Sequence, residues 1–197
     1  MTVRLLPHLA KVAVLALSAY FALWACAPSA SFRPITLDLD APHEIGVGGT
    51  ASADAYGYYG SDAQLWYAQR VGKKFSLGGT VFGGATDVVG VGFLGRYHAI
   101  EGEKFRLGVD FEAGFLYAAA GLPIAFKLAD SVWLYTNPSV GLRSNGIARL
   151  PLGAQFNLGK HFVLGAEVAG LYGNSSLAAA SPEQLAFVGG VSAAWRW

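Results

Sequence analysis

The chain has 197 residues, of which 53% are hydrophobic and only 14% charged, with a formal net charge of +1. Soluble domains carry about 25% charged residues, and a nearly neutral chain lacks the electrostatic footprint of a nucleic-acid or anionic-surface binder. A single cysteine excludes an internal disulfide.

At the front, Arg4, His8 and Lys11 lead into an uncharged apolar run from Val12 to Trp24, closed by Ala25 and Cys26. A positive start, an apolar stretch and a small residue form the layout of a secretory signal. The run falls short of the roughly 20 residues a membrane-spanning helix needs. Residues 1–25 are therefore predicted to be a signal helix rather than an anchor. The end Leu23-Trp24-Ala25-Cys26 resembles a bacterial lipobox, with Leu three before the cysteine and a small residue just before it. Trp24 departs from that pattern, which usually has a small or hydroxyl residue there. The resemblance implies cleavage before Cys26, a diacylglycerol on its thiol, an acylated new amine, and the lipoprotein-sorting machinery as a partner. The alternative is an ordinary signal peptide that happens to hold a cysteine. Residues 26–43 contain Pro28, Pro34 and Pro42 among small polar residues, the composition of an extended tether.

Beyond residue 25 every apolar stretch is soon broken by Gly, Asp, Arg or Glu. A chain that is apolar overall but nowhere continuously so is either a soluble β-sandwich or a transmembrane β-barrel. Period two decides between them. Along 105–117 one face reads Phe105, Leu107, Val109, Phe111, Ala113, Phe115 and Tyr117, and the other Arg106, Gly108, Asp110, Glu112, Gly114 and Leu116. This alternation outruns the usual globular strand of about 5–6 residues and suits a tilted membrane strand. The last stretch alternates likewise, from Leu185 to an outward Trp197. That ending resembles the C-terminal signature of bacterial outer-membrane barrels. It implies that Trp197 is read by the barrel-insertion machinery and that the protein resides in a Gram-negative outer membrane, with membrane lipid around it.

A repeat counts the strands. "GKKFSLGG" (72–79), "EKFRLGVD" (103–110) and "GKHFVLGAE" (159–167) share a charged turn, an aromatic, a Leu and a small residue. With two looser copies, the opening residues are Ile45, Phe75, Phe105, Val132 and Phe162, spaced 30, 30, 27 and 30 apart. Each unit is one hairpin. The prediction for 44–197 is an all-β, transmembrane, antiparallel up-and-down barrel of ten strands: 44–54, 63–71, 75–84, 88–98, 104–117, 121–128, 131–142, 147–158, 161–172 and 184–197. An even count puts both termini at the periplasmic side, with 118–120 among the connections at the other. Eight strands, with 118–150 arranged differently, is the alternative. Pro138 and Pro151 fall inside assigned strands, where each removes a ladder hydrogen bond that lipid cannot replace.

The outward set carries aromatics at strand ends, including Phe75, Phe105, Phe162 and Tyr117, as interfacial girdles do. The inward set is glycine plus charge. Arg106, Asp110, Glu112, Arg143, Arg149 and Glu167 are predicted to form a paired network in the lumen, since a charge there must be paired or hydrated. Inward Trp133 and Tyr135 fill more of that space. A narrow charged constriction for small solutes or ions is the alternative to a plug. Tyr56, Tyr58 and Tyr59, with flanking acids, form a possible exposed recognition loop. The mature histidines, His43, His98 and His161, all fall at the periplasmic end, away from any nucleophile at the outer rim, so no catalytic residue is assigned. No cofactor and no metal site are expected, because no ligand cluster is spaced for one. The expected role is structural or interactive, with a protein partner left open. A channel and a lipid-modifying outer-membrane enzyme are the alternatives.

Overall fold

The computed structural model describes residues 41–54, 59–84, 89–114, 117–142, 146–173 and 184–197. Twelve strand segments follow in order: β1 (His43–Asp54), β2 (Tyr59–Val71), β3 (Phe75–Gly84), β4 (Val89–Glu101), β5 (Phe105–Gly114), β6 (Tyr117–Gly121), β7 (Ile124–Ala129), β8 (Val132–Thr136), β9 (Ser139–Leu142), β10 (Gly146–Leu158), β11 (Phe162–Gly173) and β12 (Gln184–Arg196). Each long strand pairs antiparallel with its neighbour in sequence. β12 returns to β1, with Ile45 opposite Trp195 and Ala53 opposite Phe187. β6 and β7 lie end to end along β5, and β8 and β9 lie end to end along β10. The twelve segments therefore make ten staves of one closed barrel, with no free edge between first and last. This is the architecture of an outer-membrane β-barrel.

Strand phase turns the usual distribution inside out. Val91, Leu150, Phe187 and Val191 are 63–66% exposed, whereas Glu44, Arg96 and Gln155 are at most 1% exposed. An exterior of Val, Leu, Phe and Trp around a polar interior is what alternate residues produce when one side faces hydrocarbon. Gly72 and Gly159, at φ 72° and 76°, turn the chain where a side chain would be strained. Those turns share one rim with 102–104, 130–131 and both ends of the described barrel. There His43 N–H donates to the Trp197 carbonyl at 3.1 Å and Trp197 N–H to the His43 carbonyl at 3.2 Å. β-Bulges near Ala99 and Leu128 fall close to this rim. The connections at the opposite rim lie outside the described residues.

Two sequence expectations need correction. The stretch 118–120 is strand rather than connection: Gly114 already pairs with Tyr117, so β6 begins there. Tyr117 thereby changes face. It is 7% exposed, inside the barrel, and not part of an outer girdle. Its ring lies over two glycines: a Cβ on Gly114 would come within 2.0 Å of it, and one on Gly92 within 2.1 Å of its hydroxyl. The strands predicted at 121–128 and 131–142 are also not continuous. Pro123 separates β6 from β7, and Pro138 separates β8 from β9. Pro151 sits in β10 between the part that pairs with β9 and the part that pairs with β8. Three adjacent staves thus break their ladder together. The seam is partly resewn: Gly108 N–H donates to the Pro123 carbonyl and Leu122 N–H to the Pro138 carbonyl, both at 2.9 Å. Thr136 Oγ1 donates to the Pro151 carbonyl at 2.5 Å.

Candidate functional site: the charged lumen

Each inward charge is set by strand phase, and each partner by register. At the closure, β1 carries Glu44 opposite Arg196 of β12. The Arg196 Nε donates to Glu44 Oε2 at 2.9 Å, and Trp66 Nε1 of β2 donates to Oε1 at 2.9 Å. One carboxylate thus ties three strands, and all three side chains are buried. The Trp66 ring lies over Gly46, where an added Cβ would be 2.2 Å from it.

Beside it, Arg70 of β2 bonds Glu101 of β4 at 2.5 Å, and Glu101 also meets His98 Nδ1 at 3.2 Å. His98 Nε2 lies 2.8 Å from Ser76 Oγ of β3. Hydroxyl, imidazole and carboxylate stand here in the order used by serine nucleophiles. Ser76, however, is wholly buried in a strand, and Glu101 is shared with Arg70. The arrangement ties β2, β3 and β4 together at the turn-side rim.

Farther in, Arg96 of β4 grips Asp110 of β5 with both ends of its fork, at 2.5 and 2.6 Å. The pair is in direct register, and such bidentate bonds are the strong class. Asn137, at the break between β8 and β9, donates to the same carboxylate at 3.1 Å. Tyr117 donates to Glu112 at 2.9 Å. Arg106 lies over the Trp133 ring at 4.6 Å, a cation–π contact. Arg149 of β10 forms an ion pair with Glu167 of β11, with side chains 9% and 3% exposed. Among these groups a cavity of about 40 Å³ is lined by Asp110, Glu112, Asn137, Ser139 and Arg149. That is room for about one water molecule. Toward the turns, a wider space of about 700 Å³ is lined by Asp130, Asn157, Lys160, His161 and Arg196. At that rim Lys127 hydrogen-bonds Asp130 at 2.9 Å and holds its carboxyl below the usual carboxylate range.

Of the residues singled out in the sequence, Arg106, Asp110, Glu112, Arg149 and Glu167 all reach the lumen. Of these, Arg149 and Glu167 form an ion pair with each other. Asp110 is held by Arg96, a residue the sequence reading missed. Strand phase marks Arg96 as inward, but the predicted 99–103 turn would set it opposite Arg106; β4 instead runs on to Glu101, and its bulge beside His98 brings Arg96 opposite Asp110. The pairing of Glu44 with Arg196 had no local signal, because it depends on which strands close the barrel. Trp197 follows β12 at the turn-side rim, its ring stacked on His43 at 5.5 Å. Tyr59 opens β2. Cys26, Arg143, Tyr56 and Tyr58 lie outside the described residues. Among the described residues no group of three His, Cys, Asp or Glu side chains is placed to hold a metal ion.

No protein-family model matches the chain, and no curated protein does. Solved structures do resemble it in shape. A KdgM porin aligns at 14% identity over 75% of this chain and 98% of its own, with a TM-score of 0.45. The attachment invasion locus protein Ail of Yersinia pestis aligns at 15% over 79% and 96%, with a TM-score of 0.35. The N-terminal β-barrel domain of Pseudomonas aeruginosa OprF aligns at 13% over 78% and 97%, with a TM-score of 0.34. At these identities the likeness concerns the fold alone.

Proposed function

We propose that this protein is an outer-membrane β-barrel with a structural or interaction role, tethered by lipid at Cys26 and closed by a polar plug. One observation carries the reading. The lumen charges of Glu44, Arg96, Asp110, Arg149, Glu167 and Arg196 are held by one another in ion pairs. Buried charges that neutralise each other in pairs tie neighbouring staves together and leave little to steer an ion. A barrel of ten staves encloses only a modest interior, and Trp66, Phe82, Tyr117, Trp133 and Tyr135 occupy much of it.

The test is electrical. Reconstituted into planar bilayers, the protein is expected to give no stepwise single-channel currents. Regular steps whose ion selectivity changes in Arg149→Ala would replace the plug with a narrow channel. The vestibule of about 700 Å³ at the turn-side rim favours that second reading. The tether has its own measurement: Cys26→Ser should abolish incorporation of a fatty-acid probe in cells, and undiminished labelling removes the tether. A lipid-modifying activity would appear as a mass change in lipopolysaccharide or phospholipid incubated with the pure barrel.

A further inference from the structure

The barrel wall is weakest where the proline seam crosses three staves, and two cavities meet there. Inside is the small polar cavity lined by Asp110, Glu112, Asn137 and Arg149. Outside is an apolar groove of about 600 Å³, lined by Leu122, Pro138, Val140, Leu150, Tyr172 and Leu185. That volume lies within the range of about 300–1,000 Å³ typical of ligand pockets. Ala120, Gly121, Ser139 and Arg149 line both. The partition is thin because Ala120, Gly121 and Ser139 are small and because the ladder is interrupted beside them.

Arg149 gives this junction its chemistry. Its side chain is 9% exposed. One edge of the guanidinium holds Glu167, while its Nε has no hydrogen-bond partner, and neither does Asn137 Oδ1 on the same cavity. A buried donor left open costs about 1–3 kcal/mol, and an anionic oxygen would satisfy it. Arg149 lies three residues into β10 from the rim, a depth of about 10 Å at strand rise. Apart from Ser139, Arg149 and the Tyr172 hydroxyl, the groove that meets it is lined by apolar side chains and glycine, and it faces the bilayer. Gly170 forms part of its floor, and a Cβ there would touch nothing within 4 Å. An apolar groove that reaches a buried guanidinium with one unsatisfied N–H matches an amphiphile with an anionic end.

We propose that the seam is a lateral binding site for an anionic phospholipid, one acyl chain lying in the outer groove and the phosphate at Arg149. This rests on the membrane reading above. The experiment uses the full chain in phosphatidylcholine vesicles containing phosphatidylglycerol with a photoactivatable acyl chain. Cross-links should concentrate at Leu122, Val140 and Leu150 over Val91 and Phe93 on the far wall. Arg149→Gln should lower the yield at the groove about tenfold, the loss of one charge-assisted hydrogen bond. Gly170→Leu, which fills the groove without touching the lumen, should lower it similarly while leaving far-wall labelling unchanged. Equal labelling of both walls, equal capture of a phosphatidylcholine probe, indifference to both substitutions, or cross-links between two copies at the groove would each overturn the proposal. A chain that enters no vesicle at all would instead remove the membrane reading beneath it.

Discussion

Arg96 is 1% exposed, and its fork is closed on Asp110 in direct register. Removing one partner of such a pair strands the other charge and typically costs about 3–5 kcal/mol. Arg96→Ala should therefore shift the urea midpoint of the vesicle-embedded barrel strongly, followed by tryptophan fluorescence. Lys127→Ala, whose partner Asp130 is fully exposed, should leave the midpoint unchanged. Gly46 makes a second demand at this scale. Trp66 cannot retreat from it, being 1% exposed and hydrogen-bonded to Glu44. Gly46→Leu should yield no compact, heat-modifiable band on gels. That Arg96 and Trp66 point inward is legible from strand phase. What they touch is not, because phase says only which face a residue takes and nothing about which neighbour stands opposite.

At the scale of elements, alternation carried most of the information. β3, β5 and β11 begin within a residue of the positions that the repeat of charged turn, aromatic and leucine indicates. The reason is that a strand's two faces meet different solvents, so each residue reports its own side. The same logic sets the cost of violating it. Val168, 62% exposed near the middle of β11, should lose about 2–4 kcal/mol on substitution by Arg, whereas Leu158 at the rim end of β10 should lose about 0–1. Denaturant titration in vesicles would measure the difference, and equal costs would mean the two sites share one environment. Alternation misled at Tyr117, where the pattern continues through a hairpin without a visible interruption. Its pairing with inward Gly114 turns Tyr117 inward, and Gly92 and Gly114 leave room for the ring. The prolines were legible as obstacles. That Pro123, Pro138 and Pro151 align into one seam across adjacent staves was not, since alignment depends on the register of three separate hairpins.

For the molecule as a whole, closure is the controlling event. β12 pairs along its length with both β11 and β1, so without it two strands would present unpaired backbone groups to hydrocarbon. Each such group costs several kcal/mol. A chain truncated before Gln184 should fail to float with vesicles and should be degraded by added protease, while the full chain floats and resists. The hairpin count, the apolar exterior and the polar interior follow from the sequence alone, because each is recorded by the identities of neighbouring residues along one strand. Which lumen charges meet, where the wall is thin and how the first strand finds the last were decided only in three dimensions. Those features depend on register summed around the whole barrel, and chain positions as distant as Glu44 and Arg196 acquire their relation only when the final stave closes it.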